Sequence, residues 1–381
     1  MALKNSILCG IDIGSSKVAV LIVQVMENGQ ISVLGVATAP SKGIKRGQIV
    51  DIDGAADVVK ECLKAAERMA GHIVTSAFLS IGGAHIESTN THAVVAISPD
   101  RDINGQDLER LNEIAKAVAL PVSREILHSL PISYTIDGQA GVINPLEMSG
   151  SRLEADTHII SGLSVAISNL AKCMEKVGIK IEKVIFSGIA SAEAVLTETE
   201  KELGVVLIDL GAETVDIAII FEGAVVYSAV IPIGAKFISN DIAIGLKVTF
   251  ESAESIKRGA SDLTQKNVEN MIIKARVREI LELVKKEIKK SEYGLQIPLG
   301  VVVCGGGALT VGLIDQIRRH LNFPARIGRV GGWGGLTAEI DSPAFATAAG
   351  LVLYGFKNQS GNNKKFTVKI WFDKIINLLK L

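Results

Sequence analysis

Val205-Val206-Leu207-Ile208-Asp209-Leu210-Gly211-Ala212-Glu213-Thr214-Val215-Asp216-Ile217-Ala218-Ile219-Ile220 is the stretch whose reading decides the fold. It reads as a buried strand, a tight acidic-glycine turn and a second strand. A carboxylate near the end of an apolar strand is costly to bury without a cationic partner. A glycine two residues on lets backbone N–H groups come close to an anion. The combination fits a magnesium–phosphate site, with Asp209 toward the metal and the turn Gly211, Ala212, Glu213, Thr214 toward phosphates. A plain β-hairpin with an acidic turn would show the same short pattern.

The pattern occurs twice. Residues 7–23 read Ile-Leu-Cys-Gly-Ile-Asp-Ile-Gly-Ser-Ser-Lys-Val-Ala-Val-Leu-Ile-Val. Aligning Asp12 with Asp209 superimposes Ile-Asp-Ile-Gly on Ile-Asp-Leu-Gly, and each copy runs into an apolar strand. A glycine turn follows in each (Asn28-Gly29, Glu222-Gly223), then a third strand-like run (Ile31–Thr38, Ala224–Ile231). The repeat predicts two similar domains that each offer a phosphate turn to a shared cleft. Two facing acidic-glycine turns are far more specific than one.

The 381 residues leave room for two or more domains and an ample core. A net charge of −1 supplies no basic field for nucleic acid. Aromatic residues are only 4%, and 37 glycines suit an α/β core with many tight turns. Four cysteines without paired spacing read as buried thiols in a reducing compartment, and six histidines show no zinc-ligand spacing. Met-Ala-Leu-Lys-Asn-Ser, before the first strand, lacks the long apolar segment expected of a signal peptide. The uncharged run after Tyr293 is interrupted by Pro298 and a triple glycine, so a cytoplasmic protein without a spanning helix is expected.

Between the two phosphate turns the pattern predicts a helix over 52–71 and a buried strand Phe78–Ile81 ending in Gly82-Gly83. A small α/β module follows at 84–162, with Asn104 as a helix N-cap. An alanine-rich helix precedes the organising strand. Beyond the second unit, helices are expected at 252–258 and over the charged stretch 266–291, whose polar face is solvated. Val301-Val302-Val303-Cys304-Gly305-Gly306-Gly307-Ala308 reads as a strand and a glycine turn opening a helix through Leu321, a place for adenine or ribose against backbone. Residues 342–354 form a small-residue helix able to pack closely on another element.

Asp12-x-Gly14-Ser15-Ser16-Lys17, Asp209-x-Gly211-x-x-Thr214 and Gly305-Gly306-Gly307-Ala308 resemble the phosphate 1, phosphate 2 and adenosine motifs of the actin-like ATPases. Residues 189–196 and 344–353 resemble the two helices connecting the lobes of that fold. Over residues 6–381 the chain is similar to the FtsA family of bacterial cell-division proteins, most closely in Phe186-Ser187-Gly188-Ile189-Ala190-Ser191 and in Val230-Ile231-Pro232. The resemblance implies an α/β, actin-like two-lobed ATPase fold with an inserted small α/β subdomain and a C-terminal amphipathic helix. Its divisions would fall at 1–83, 84–162 (the insertion) and 163–200 in the first lobe. The second lobe would comprise 201–231, a small subdomain at 232–292, and 293–341. A connecting helix at 342–356 and a linker at 357–363 would lead to the tail at 364–381.

The resemblance further implies ATP and Mg²⁺ in the cleft. Asp12 and Asp209 would hold the metal through water, with Lys17 near the phosphates and Glu254 and Lys257 on the adenosine side. An ordinary i,i+3 surface pair is the other reading of Glu254 and Lys257. Glu193 or Asp216 would orient an attacking water for at most weak ATPase activity. Glu213 stands where many relatives have glycine and sets a negative charge beside the phosphates. Arg276 and Glu279 match positions that contact the FtsZ C-terminal tail. The implied role is a polymerising, ATP-binding adaptor that ties the FtsZ ring to the cytoplasmic face of the membrane at the division site and recruits later division proteins. A pilus-assembly relative and a small-molecule kinase of the same superfamily are the alternatives.

The C-terminal segment reads independently of any family. At 100° per residue, Val368, Trp371, Phe372, Ile375, Ile376, Leu378 and Leu379 share one face, and lysines occupy the other. It is too short and too charged to span a bilayer. Its bulky apolar face and lysine flanks fit an interfacial helix on an anionic bilayer; a terminal helix docked on the core is the alternative.

Overall fold

The computed structural model describes residues 6–118, 120–259, 266–294 and 297–361. Strands β1 (Ser6–Ile13), β2 (Lys17–Val25) and β3 (Ile31–Pro40) form an antiparallel meander. Val18 to Val23 are all buried, which is why β2 reads as an unbroken apolar run. A short hairpin, β4 (Ile44–Lys45) and β5 (Gln48–Ile49), comes next. Helix α1 (Ile52–Ala70) begins at Asp51, whose carboxylate accepts from the Gly54 N–H, and ends at Gly71 in the left-handed region. β6 (Ser76–Ile81) then lies parallel to β1.

The next segment builds its own layer. β7 (Glu87–Ala96), α2 (Gly105–Lys116), β8 (Arg124–Ile136), β9 (Gln139–Val142) and β10 (Arg152–Leu163) give a sheet ordered β7-β10-β8-β9. Asn104 and Asp107 cap α2 reciprocally. A separate small core, including Val95, Leu111 and Leu153, holds helix to sheet. The chain then returns through α3 (Ser164–Val177), β11 (Lys180–Phe186) parallel to β6, and α4 (Ser187–Val195).

After α5 (Glu198–Leu203) the organising stretch forms β12 (Val205–Leu210) and β13 (Val215–Phe221), with β14 (Ala224–Ile231) completing a second meander. Helices α6 (Ala235–Leu246), α7 (Phe250–Lys257) and α8 (Lys266–Lys290) pack on it. In α8, Ile273, Val277, Ile280, Leu281, Val284 and Ile288 are buried at helical spacing, and the charged residues between them form the outer face. β15 (Val301–Cys304) lies parallel to β12, followed by α9 (Leu313–Leu321) and β16 (Ala325–Ile327). β17 (Gly334–Gly335) joins the edge of β3, and α10 (Thr337–Ile340) leads to α11 (Ala346–Gly361).

The sequence repeat is a repeat of structure. One sheet is ordered β11-β6-β1-β2-β3-β17 and the other β14-β13-β12-β15-β16. Read from β3, the first gives β3-β2-β1-β6-β11, the connectivity of the second. Asp12 pairs with Ala19, and Asp209 pairs with Asp216, at the same offset. Both turns close alike: Gly14 N–H donates to the Lys17 carbonyl at 3.1 Å and Gly211 N–H to the Thr214 carbonyl at 2.9 Å.

Two boundaries differ from the sequence expectation. The glycine run does not open a helix: Gly306–Leu309 is a 3₁₀ turn, and α9 starts only at Leu313. Consecutive glycines have too little helix propensity to nucleate there. At the other end, α11 continues to Gly361, so the first part of the expected linker at 357–363 is helical. The tail residues 364–381 lie outside the described residues. Among the described residues no helix is long and apolar enough to cross a membrane.

Candidate functional site

Asp12 and Asp209 sit at equivalent places near the ends of the equivalent strands β1 and β12. Ile11 pairs with Leu79, which sets Asp12 beside Ser80. The Ser80 hydroxyl donates to Asp12 Oδ1 at 2.8 Å. Asp209 Oδ2 accepts from Ser191 Oγ of α4 at 2.5 Å and from Thr347 Oγ1 of α11 at 3.0 Å. Both helices connecting the lobes are thereby tied to one carboxylate.

These carboxylates press on one another. Burial pushes Asp12 up to about 6; Ser80 and Lys17 oppose the shift and Asp209 adds to it. Asp209 is raised by burial against the hydroxyls of Ser191 and Thr347. Asp216, directly across the β12–β13 pair, is held well above the usual carboxylate range by burial, then by Asp209 and Asp12. Its Oδ1 is buried without a hydrogen-bond partner among the described residues. Lys17 lies with its ammonium 4.1 Å from the centre of the Phe345 ring, lowered by burial while Asp12 and Asp209 pull the other way. Three buried carboxylates with one lysine form a cluster whose ionisation a bound cation would favour. Among the described residues no three metal-ligating side chains converge as a direct ligand set.

The third glycine segment closes on the same place. Gly305 has φ +80°, and a Cβ there would lie 2.6 Å from the Leu210 carbonyl and closer still to Asp209 Oδ1. Only glycine lets the backbone pass so near the carboxylate. Gly306 has open space where a side chain would point, whereas Gly307 and Ala308 are buried against Leu210 and its neighbours. Lys257 is only 4% exposed, and its Nζ donates to Ser239 Oγ at 2.9 Å and to Glu254 Oε1 at 2.6 Å. The Ser239 hydroxyl also donates to Glu254. Val311 N–H donates to the Lys257 carbonyl at 2.9 Å, so α7 is fastened to the segment just after the glycines. Glu254 and Lys257 thus form a partly buried network with Ser239, with Lys257 inside it and Glu254 at its edge.

Glu193 is not part of the cluster. Two residues from Ser191 on one helix it points about 200° away, and its Oε2 accepts from Lys201 Nζ at 3.4 Å and from Lys357. Burial works to raise its pKa, and the two lysines outweigh it and hold it below the usual range. Lys201 and Lys357 thus neutralise the Glu193 carboxylate on the side of α4 turned away from Ser191. The Glu213 carboxylate is taken by protein donors: Oε2 accepts from the Arg46 N–H at 2.7 Å and Oε1 from Lys236 Nζ at 2.9 Å. The Arg276 guanidinium is engaged by this chain's own Asp241, at 2.6 and 3.0 Å, and by Glu279 at 2.6 Å. Val368, Trp371, Phe372, Ile375, Ile376, Leu378 and Leu379 lie outside the described residues. Ser80 and Thr347 were not singled out from the sequence. Ser80 had a signal, because it precedes Gly82-Gly83 much as Cys304 precedes Gly305-Gly306. An open depression at the end of α1, lined by Glu61, Lys64, Arg68 and His72, holds about 490 Å³. It gathers no such chemistry.

Two family profiles match the chain: "SHS2 domain inserted in FTSA" over residues 83–161 and "Cell division protein FtsA" over residues 206–350. The cell division protein FtsA of Pseudomonas aeruginosa is 38% identical over 380 residues, covering 93% of this chain and 91% of that protein. The chain belongs to the FtsA family. FtsA of Borreliella burgdorferi is 36% identical over 97% of this chain and 95% of its own length. FtsA of Escherichia coli K12 is 32% identical over 93% and 91%. Among solved structures, the PilM–PilN type IV pilus biogenesis complex matches with a TM-score of 0.70 at 15% identity, over 91% of this chain and 98% of that chain. MreB5 of Spiroplasma citri bound to ADP matches with a TM-score of 0.55 at 13% identity, over 94% and 99%. At such identities these likenesses speak for the fold alone, and that fold is the actin-like one. An FtsA-type chain thus carries its SHS2 module as the sheet β7-β10-β8-β9.

Proposed function

We propose that this FtsA-family protein binds ATP with Mg²⁺ between its two aspartate turns and works as a membrane-attached, self-associating adaptor for FtsZ. The observation that carries the nucleotide reading is the convergence of Asp12 and Asp209, in equivalent register, with the Gly305 backbone closing on the same carboxylate. Mg²⁺ would be held through water by Asp12 and Asp209, and when bound it would screen the phosphate charge. The turns 14–17 and 211–214 would face the phosphates, with Lys17 as the mobile cation. Gly305 to Ala308, Glu254 and Lys257 would flank the adenosine. Of the two candidates for holding a water, Asp216 lies within the carboxylate cluster and Glu193 is turned toward Lys201 and Lys357.

The test uses Asp12→Asn and Asp209→Asn, singly and together, with equilibrium binding of a fluorescent ATP analogue in Mg²⁺. The double variant is expected to lose at least ~tenfold in affinity, about 1.4 kcal/mol. Wild-type affinity in a folded double variant would sink the assignment.

Partner binding is proposed on the face of α6 and α8. Asp241 faces Arg276 and Gly245 faces Ile272, so the two helices run antiparallel. Ile244 and Met271, near one end of this pair, are 78% and 72% exposed. An FtsZ tail carrying acidic and apolar residues would place its apolar side chains there and compete with Asp241 for Arg276. The tail helix 364–381 would attach the protein to the cytoplasmic face of the membrane at the division site. Filaments and contacts with later division proteins rest on family likeness.

A further inference from the structure

The β4–β5 hairpin touches both phosphate turns, and nothing in the nucleotide reading uses it. At its tip, Arg46 is a non-glycine residue with φ +48°. The Gly47 N–H donates to Ser15 Oγ at 2.8 Å, and a Cβ on Gly83 would lie 2.7 Å from the Arg46 carbonyl oxygen. The Arg46 N–H donates to Glu213 Oε2 at 2.7 Å, and Lys236 Nζ donates to Oε1 at 2.9 Å. Ser15, Gly83 and the hairpin belong to the first lobe, whereas Glu213 and Lys236 belong to the second. The tip therefore joins the two phosphate turns through one carboxylate.

We propose that Glu213 is a positioning residue of the phosphate site: by holding the Arg46–Gly47 tip across the cleft, it fixes the Ser15 turn against phosphate. The proposal rests on the ATP reading above. The Gly47 N–H occupies a lone pair of Ser15 Oγ, which leaves the hydroxyl proton directed elsewhere and free to donate to an anion. Without Glu213 the tip loses its hydrogen bond across the cleft, and with it the contact that offsets the strain of the non-glycine left-handed conformation at Arg46. Burial works to raise the pKa of Glu213, and Lys236 and the Arg46 N–H outweigh it, so the group is anionic at neutral pH. Simple Coulomb repulsion makes the opposite prediction from positioning. A bare negative charge beside phosphates weakens ATP binding, so its removal would tighten it.

The test compares full-length wild type, Glu213→Ala, Glu213→Gln and Lys236→Met. Hydrogen exchange over residues 44–49 is measured without nucleotide, and binding of fluorescent ATP and ADP analogues is measured with Mg²⁺. Glu213→Ala is expected to speed exchange at the tip about tenfold and to weaken ATP about tenfold, the order of one charge-assisted hydrogen bond, with ADP changing less. Glu213→Gln keeps an acceptor for the Arg46 N–H and is expected to rescue most of the protection and affinity. Lys236→Met leaves that hydrogen bond in place and should retain the protection, which controls for general damage to the turn. Unchanged exchange, or tighter ATP binding in Glu213→Ala, overturns the proposal. A wild type that binds neither nucleotide overturns the ATP reading instead, while the exchange arm still decides whether Glu213 holds the hairpin.

Discussion

Gly350→Ala tests the junction on which the lobes depend. Gly350 of α11 lies against Ala190 of α4, the two helices that bring Thr347 and Ser191 to Asp209. A Cβ at position 350 would lie 1.6 Å from the Ala190 carbonyl oxygen and 3.0 Å from its Cα. Both are backbone atoms, so no side-chain rotation relieves the clash. Ordinary carbon contacts begin near ~3.5 Å, so the helices must separate by well over an ångström at their crossing. Overpacking a close-packed interior costs about 1–3 kcal/mol, and this case belongs at the upper end. Alanine returns about 1 kcal/mol through its helix propensity. The net of about 2 kcal/mol corresponds to a fall of roughly 4–8 °C in Tm, using the scale for large domains. Nucleotide affinity should fall too, because the separation pulls on the hydroxyls that hold Asp209. Gly331→Ala is the control: nothing lies within 4 Å of its Cβ position, and a change within about 0.5 kcal/mol is expected. Thermal unfolding by circular dichroism and fluorescent-nucleotide titration read both effects. A Gly350→Ala protein with wild-type Tm and affinity would refute the reasoning.

His128 is buried, its Nε2 accepts from the Phe186 N–H at 3.0 Å, and burial lowers its pKa to about 3. An unfolded histidine titrates near ~6.5, so below that pH the unfolded chain binds a proton the native one refuses. Stability is therefore lost as pH falls from about 6.5 toward 3. Asp12, raised to about 6, acts in the opposite sense. His128→Gln, which keeps an acceptor for Phe186, should flatten the loss by about 2 kcal/mol between pH 7 and pH 5 in urea unfolding; parallel pH profiles would disprove it. Arg276→Glu places a third carboxylate beside Asp241 and Glu279 and should weaken binding of an FtsZ tail peptide about tenfold, whereas an unchanged Kd would leave Arg276 with only its intramolecular role. Deleting residues 366–381, or making Trp371→Glu, should abolish co-sedimentation with anionic liposomes and spare ATP binding. Persistent co-sedimentation of the truncated chain would locate the anchor elsewhere.

The strand repeat was legible because burial on both faces forces long apolar runs, and the Asp-x-Gly turn interrupts each at the same offset. The inserted module was legible as a change of pattern between Gly83 and the next buried run. Neither signal reaches the ends of elements. The residues after Phe356 are polar and read as linker, yet α11 continues because its earlier turns are anchored on α4 and β1 and propagation from a packed helix is cheap. β17 pairs only Gly334 and Gly335 with Ser32 and Val33, a contact no local pattern announces.

The site divides the same way. Asp12 and Asp209 could be found because each combines burial and charge within one short stretch. Ser80, Ser191 and Thr347, which hold them, come from three other elements; Ser80 is marked by the glycines after its strand, whereas the hydroxyls of Ser191 and Thr347 carry no mark of their partner. Glu193 lies two positions from Ser191 and on the other side of α4, where Lys201 of α5 and Lys357 of α11 take its carboxylate, a pairing no local pattern announces. Glu213 shows why a charge read from sequence needs its partners before the sign of its effect can be argued. Beside phosphates an isolated carboxylate is repulsive, but here a backbone N–H from the other lobe, 167 residues away in sequence, and the neighbouring Lys236 receive it. On the positioning proposal, the same charge that would repel a nucleotide ties the two turns that would hold one, and its effect on affinity is set by the hairpin it secures.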